Sequence, residues 1–425
     1  MAASTEQSRA ELRKIDGVFD VPNWLDLLDA SLTFPSGLVE LQRAEGEALL
    51  AAAHARKQVL DEIGQRDAQD LDDHCPSEGE PLFNEGGVVE YLGYFESMGG
   101  ELDDSDFLEH RDFEKAFFAT SKQLHVAERF AEILPSPAVR NTLMIVARKL
   151  DDAMQQLHAK VASPEGTDIP SYFVRLSSRS PKDAAAVNEL AFLEEALKQR
   201  ASQKTLNGRL GLFCDLFLRG MRVQNGLEAV HLLLASKRVT DDIFQAIEAE
   251  DQCGVPYDLS LVVRTWSPGV REDAEFRGFM SIDGQLVALS QYNEFFYQPE
   301  LEEHREAISQ ALVEFVETSL RPKLLGTQFL PCVLDLVILQ RGGLHEPFDP
   351  LGEVRVVELN PANERTSPAL FDKDEVWQWV VSESTLKDFR LTQQIEYQDG
   401  RFLQDRIDEA QRRWKAQQLF QHALS

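Results

Sequence analysis

Residues 329–339 read FLPCVLDLVIL, and after a Gly-, Pro- and Asp-rich loop residues 353–361 read EVRVVELNP. The first segment is an apolar run with one carboxylate, Asp335, near its middle. An unpaired carboxylate inside such a run is expensive to bury. Two readings are open: Asp335 points to solvent from a half-exposed strand, or it faces a metal ion. In the second segment Glu358 and Asn360 are two residues apart, so on a strand they project from one face. Two adjacent strands would then present Asp, Glu and Asn oxygens to one point. Such hard oxygen ligands suit Mg²⁺, which takes few protein ligands and fills its shell with water and phosphate. Two ordinary strands with solvated carboxylates fit the same spacing equally well.

Upstream, the hairpin pattern DAEFRGFMSI–DG–QLVALSQYN (273–293) has Asp283–Gly284 as a two-residue turn. It places Glu275 and Arg277 on one face, with Arg264 on the preceding strand, LSLVVRTW (259–266). Arginines on strands beside an acidic face suit a triphosphate, since guanidinium binds phosphate oxygens bidentately. The competing reading pairs Arg264 and Arg277 with carboxylates on a sheet surface. SYFVRLSS (171–178) is a further strand, and SPKDAAAVNELAFLEEALKQRA (180–201) a helix. That helix has Ser180 at the cap, Pro181 in the first position and Asp183 in the first turn. A helix start rich in hydroxyls and cations also binds anions.

The first half reads differently. Residues 38–63 and 113–162 are expected to be helical, and 64–112 form an acidic linker or loop poor in apolar residues. Residues 299–320 form an amphipathic helix ending before Pro322, and a last helix covers about 402–424. The domain reading is a helical region at 1–165 with its acidic loop, a mixed α+β domain at 166–400, and the helix at 401–425.

Composition sets outer bounds. A chain of 425 residues holds two or three domains of about 100–200 residues each, or one large domain with an appendage. The net charge of -29 argues against wholesale contact with nucleic acid or anionic lipid, while leaving room for a local basic pocket. The four cysteines are scattered without a CxxC pair, which points to reduced thiols and a cytosolic location, with no zinc site. No apolar run approaches the roughly 20 residues of a membrane span. GxxxxGK[ST], GxSxG and HExxH patterns are missing.

Seven segments together resemble the cell division cycle protein 123 family, a divergent branch of the ATP-grasp superfamily. In family order they are FVRLSSRSPKDA (173–184), HLLLASKRVTDDI (231–243), LVVRTW (261–266), EFRGFMSIDGQLVALSQYNEFFY (275–297), VLDLVIL (333–339), VELNP (357–361) and RTSPALFDKDEVW (365–377). The resemblance implies an α+β, ATP-grasp-like fold whose two α+β subdomains clasp ATP. It implies Asp335, Glu358 and Asn360 as Mg²⁺ ligands. Arg264 and Arg277 would reach the phosphates or the metal-bound anion, and in an enzyme would be its catalytic cations. Arg175 would stand where the family has a phosphate-binding lysine, with Ser177 and Ser178 beside it. Asp258, Ser260 and Leu261 would line the adenine pocket.

This chain departs from the family at RLSSRSPKDA, where KLNWSAPRDA is usual, at ELNP, where DFNP or DINP is usual, and at LSQYN, where ISQRD is usual. The resemblance implies two functions. One is an ATP-dependent assembly factor with a protein client, such as the gamma subunit of translation initiation factor 2. The other is an ADP-forming carboxylate–amine ligase acting on a peptide or small metabolite. Neither implies nucleic acid or membrane.

Overall fold

The computed structural model describes residues 17–28, 31–72, 135–161, 170–184, 218–293, 297–341, 347–363, 365–383 and 385–392. The protein is a mixed α+β chain with two β-sheets. It divides into two compact units, residues 1–47 with 143–396, and residues 48–142 with 397–425. Both sheets belong to the first unit.

The smaller sheet has the order β1 (Ser36–Glu40), β4 (Ser260–Thr265), β2 (Tyr172–Leu176) and β3 (Arg222–Val223), all antiparallel. The larger has the order β8 (Val354–Pro361), β7 (Cys332–Ile338), β5 (Glu275–Met280), β6 (Leu286–Gln291) and β9 (Asp388–Arg390). Only the β6–β9 pairing is parallel.

Two sequence expectations change here. The helix expected at 38–63 begins later, as α2 (Arg43–Asp72) after the short helix α1 (Val21–Leu25), and it continues through Gly64 into the start of the expected acidic loop. Residues 38–40 belong instead to β1, paired with β4. Four residues, LVEL, satisfy either period, and strand pairing decides between them. The hairpin turn spans three residues, Ile282 to Gly284, closed by Ser281 N–H on Gln285 O at 2.9 Å. Gly284 takes φ +72°, where a side chain would be strained.

Side chains cap two of the helices at their starts. After α3 (Pro137–Val161), Asn225 caps α4 (Gly226–Ala235) by accepting from Glu228 N. Ser236 caps α5 (Lys237–Cys253), which ends on left-handed Gly254. The amphipathic segment forms Pro299–Glu303 and α6 (Arg305–Phe315), then runs on through a π-turn past Pro322 to Leu324. Pro322 sits in the first turn of that final piece, where its missing N–H costs nothing.

The larger sheet is buried on one face under a core that includes Trp24, Phe276, Leu312, Leu334 and Leu336. On the other face α7 (Lys373–Ser382) covers one end, packing Val376 and Val380 over Phe279, Ala288 and Val333. Residues 32–33 run along β8 and pair with Val356, so that edge is not left open. The helix expected at 180–201 lies outside the described residues beyond Ala184, as do the segment 73–134 and the terminal helix. Among the described residues no helix is long and apolar enough to cross a membrane.

Candidate functional site

Where α7 ends, the same face of the larger sheet becomes polar. Register places Ser290, Arg277, Asp335 and Glu358 opposite one another on β6, β5, β7 and β8, so one row of side chains crosses four strands. Asn360 lies two residues beyond Glu358, on the same face. A bulge leaves Val357 without a partner on β7.

Asp335 is 1% exposed and meets no solvent, which removes the half-exposed reading. Its partner is Arg277. Nε and Nη2 of Arg277 donate to the two carboxylate oxygens at 2.8 and 3.0 Å, and Asn360 Nδ2 adds a third bond at 3.2 Å. Arg277 thus pairs as one reading expected, but inside the protein rather than on a surface. Asp335 holds Arg277 above its ordinary range against the opposing effect of burial.

The second sheet supplies the rest. On β2 and β4, Arg175 pairs with Val262 and Phe173 with Arg264, so Arg175 and Arg264 share a face. Arg175 Nη2 donates to Glu358 Oε1 at 2.5 Å. Burial pushes Glu358 up, and the adjacent Arg175 more than reverses this, leaving it below its usual value.

Arg264 differs from the other cations. It is 3% exposed, and Nη1 donates to the bulge carbonyl of Val357 at 2.6 Å. Its Nε and Nη2 are buried with no partner. Burial, then the charge of Arg175, lowers its pKa, while Glu358 works in the other direction. A guanidinium does not surrender its proton in a protein, so this environment amounts to an unmet demand for an anion.

Lys182, read from sequence only as one of the cations at a helix start, completes the cluster. Its Nζ donates to Tyr292 Oη at 2.5 Å and lies 3.8 Å from Glu275 Oε1. Burial would lower Lys182, but Glu275 and Tyr292 hold it above its ordinary range. Burial also raises Glu275, to about 7, with Lys182 opposing. A carboxyl raised from 4.5 to about 7 binds more protons folded than unfolded between those values. Its contribution to stability is therefore complete below pH 4.5 and is lost as pH rises toward 7. The full shift corresponds to up to about 3 kcal/mol. Glu275→Gln should flatten the pH dependence of urea unfolding between pH 5 and 7.5. An unchanged slope would contradict this environment for Glu275.

The structure brings Arg175, Arg264, Arg277, Asp335, Glu358 and Asn360 together. Ser260 shares the face of β4 that carries Arg264, and the remaining expected residues have other surroundings. Ser177 Oγ donates to Asp20 at 3.3 Å, and its backbone N–H donates to Ser260 O at 2.7 Å. Ser178 Oγ donates to Asp242 at 2.5 Å. Leu261 is on the opposite face of β4 from Arg264, and Asp258 lies in the loop before β4. Asp183, expected to serve its own helix start, accepts from Ser236 Oγ at 2.5 Å and Arg238 N at 3.0 Å at the start of α5. Ser180 Oγ is buried without a partner.

Among the described residues no three His, Cys, Asp or Glu side chains are grouped to hold a metal. Two carboxylates and an amide are nevertheless the kind of donor set Mg²⁺ uses when phosphates complete its shell. Arg175, Lys182, Arg264 and Arg277 bring four cations to this cluster, in a chain whose net charge is -29, and Arg264 has nitrogens left unmet.

Residues 217–411 match the D123 family model. Cell division cycle protein 123 from Candida glabrata is 27% identical over 183 residues, 42% of this chain and 46% of that protein. The chain thus matches about half the length of this curated relative. Cdc123 from Schizosaccharomyces pombe superposes with a TM-score of 0.46 and 15% identity, over 90% of this chain and 98% of that one. A C-terminally truncated form gives 0.46 and 14% over the same shares.

Proposed function

We propose that this chain, whose residues 217–411 match the D123 family model, is a member of that family, binds ATP with Mg²⁺ and acts as an ATP-dependent assembly factor for a protein client. The observation that carries the ATP reading is Arg264, a buried guanidinium with two nitrogens unmet and a second cation, Arg175, nearby. Phosphate oxygens meet that demand.

Asp335, Glu358 and Asn360 would hold Mg²⁺, and Arg175, Lys182, Arg264 and Arg277 would hold the phosphates. When bound, Mg²⁺ would neutralise the triphosphate and polarise its terminal phosphoryl group. Asp335 orients Arg277 with two bonds, and Glu358 fixes Arg175. The pairs keep the cations in place before a ligand arrives, so less ordering is required on binding.

The family resemblance makes the gamma subunit of translation initiation factor 2 the client to test, and the acidic chain suits a basic surface on it. Tagged protein recovered from its native extract should bring down that subunit in an ATP-dependent manner. Recovery of no initiation-factor subunit sinks the client.

One observation favours the second reading, an ADP-forming ligase. Glu275 Oε1 is buried without a hydrogen bond, and its pKa of about 7 suits a base for an incoming amine. ADP release with an acid and amine panel would support the ligase, and no release with any pair would count against it.

A further inference from the structure

Tyr292 is one of the places where this chain departs from the family pattern, and it contacts two of the site's cations. The loop 177–184 is tied to α5, with Asp183 accepting from Ser236 and Arg238, and with Ser178 and Arg179 bonded to Asp242. That loop delivers Lys182 across to the larger sheet. There Nζ sits 4.0 Å from the Tyr292 ring centroid, within bonding distance of its hydroxyl. The Arg277 guanidinium carbon lies 4.9 Å from the same centroid. Both cations thus contact one ring, whose faces attract positive charge.

We propose that Tyr292 is a positioning residue that holds Lys182 beside Arg277, so that the two cations grip one anionic group, the terminal phosphates of the nucleotide. The proposal rests on the ATP reading above. It assigns the Lys182–Arg277 pair to the terminal phosphates in particular, so loss of Tyr292 should weaken ATP and leave AMP alone.

The test uses full-length protein, wild type, Y292F and Y292L. Affinity for ATP·Mg²⁺ and for AMP is measured by calorimetry, and the rate of Lys182 labelling by an amine-reactive reagent is followed against pH by mass spectrometry. Loss of a desolvated cation–π contact corresponds to roughly tenfold, so Y292L should bind ATP·Mg²⁺ about tenfold more weakly and label about tenfold faster at Lys182. AMP affinity should stay at the wild-type level. Y292F keeps the ring and should fall between the two. If Y292L matches wild type in ATP affinity and labelling, or loses ATP and AMP equally, the proposal is overturned while the ATP site stands. If the wild type binds no ATP, the ATP reading falls and this proposal with it.

Discussion

Asp335→Asn should lower stability by about 3–5 kcal/mol, the usual cost of leaving one member of a buried ion pair unmatched. The wild-type carboxylate accepts two bonds from Arg277 and one from Asn360, and it is the charge that balances a guanidinium only 7% exposed. An Asn in its place has one acceptor oxygen and no charge, and its amide points donors at donors. Adding Arg277→Met removes the stranded cation, so the double variant should regain most of the lost stability. It should not regain ATP·Mg²⁺ binding, because both a proposed metal ligand and a proposed phosphate ligand are then gone. Denaturant unfolding of the three proteins measures the first effect and nucleotide titration the second. A single variant as stable as wild type would contradict the buried pair.

Arg264→Met should act with opposite signs on stability and binding. Arg264 has two buried nitrogens without partners and lies near Arg175. Each unsatisfied group costs about 1–3 kcal/mol, and Met fills a similar length without that cost. Some gain is returned through loss of the bond to Val357 O and of the contact with Trp24, whose ring lies 5.6 Å away. The net expectation is a variant more stable than wild type by about 1–2 kcal/mol. Two charge-assisted bonds to phosphate are worth about 3 kcal/mol or more, so ATP·Mg²⁺ affinity should fall by at least about 100-fold. If Arg264 served packing alone, the variant would instead lose stability and leave binding alone.

How far the sequence could be read follows from which interactions are local. Asp335 stood out as a lone charge in CVLDLVI, and the two-residue spacing of Glu358 and Asn360 put them on one face. Both readings depend on strand periodicity alone. That Arg277 neutralises Asp335 depends on β5 and β7 being neighbours, across 58 residues of chain. The bulge at Val357 offers its carbonyl to Arg264, and no residue type announced it. Lys182 followed Pro181 in an apparent capping segment, while its partner Tyr292 is 110 residues away. Residues 38–40, which the helix expected at 38–63 includes, form part of strand 36–40 instead, since Leu38, Val39 and Glu40 fit either period. Asn225, Ser236 and Asp372 cap helix starts through local chemistry that the reading of 226–239 as either strand or helix did not use.

The central claim is that the row from Arg277 to Asn360, facing Arg175 and Arg264, forms a site for ATP and Mg²⁺. The most direct measurement is calorimetric titration of ATP into the wild-type protein with and without Mg²⁺. The account predicts saturable binding of one ATP per chain that weakens at least about tenfold when Mg²⁺ is removed, since the ion offsets phosphate repulsion beside Asp335 and Glu358. No saturable heat up to millimolar ATP, or the same affinity with and without Mg²⁺, would contradict it.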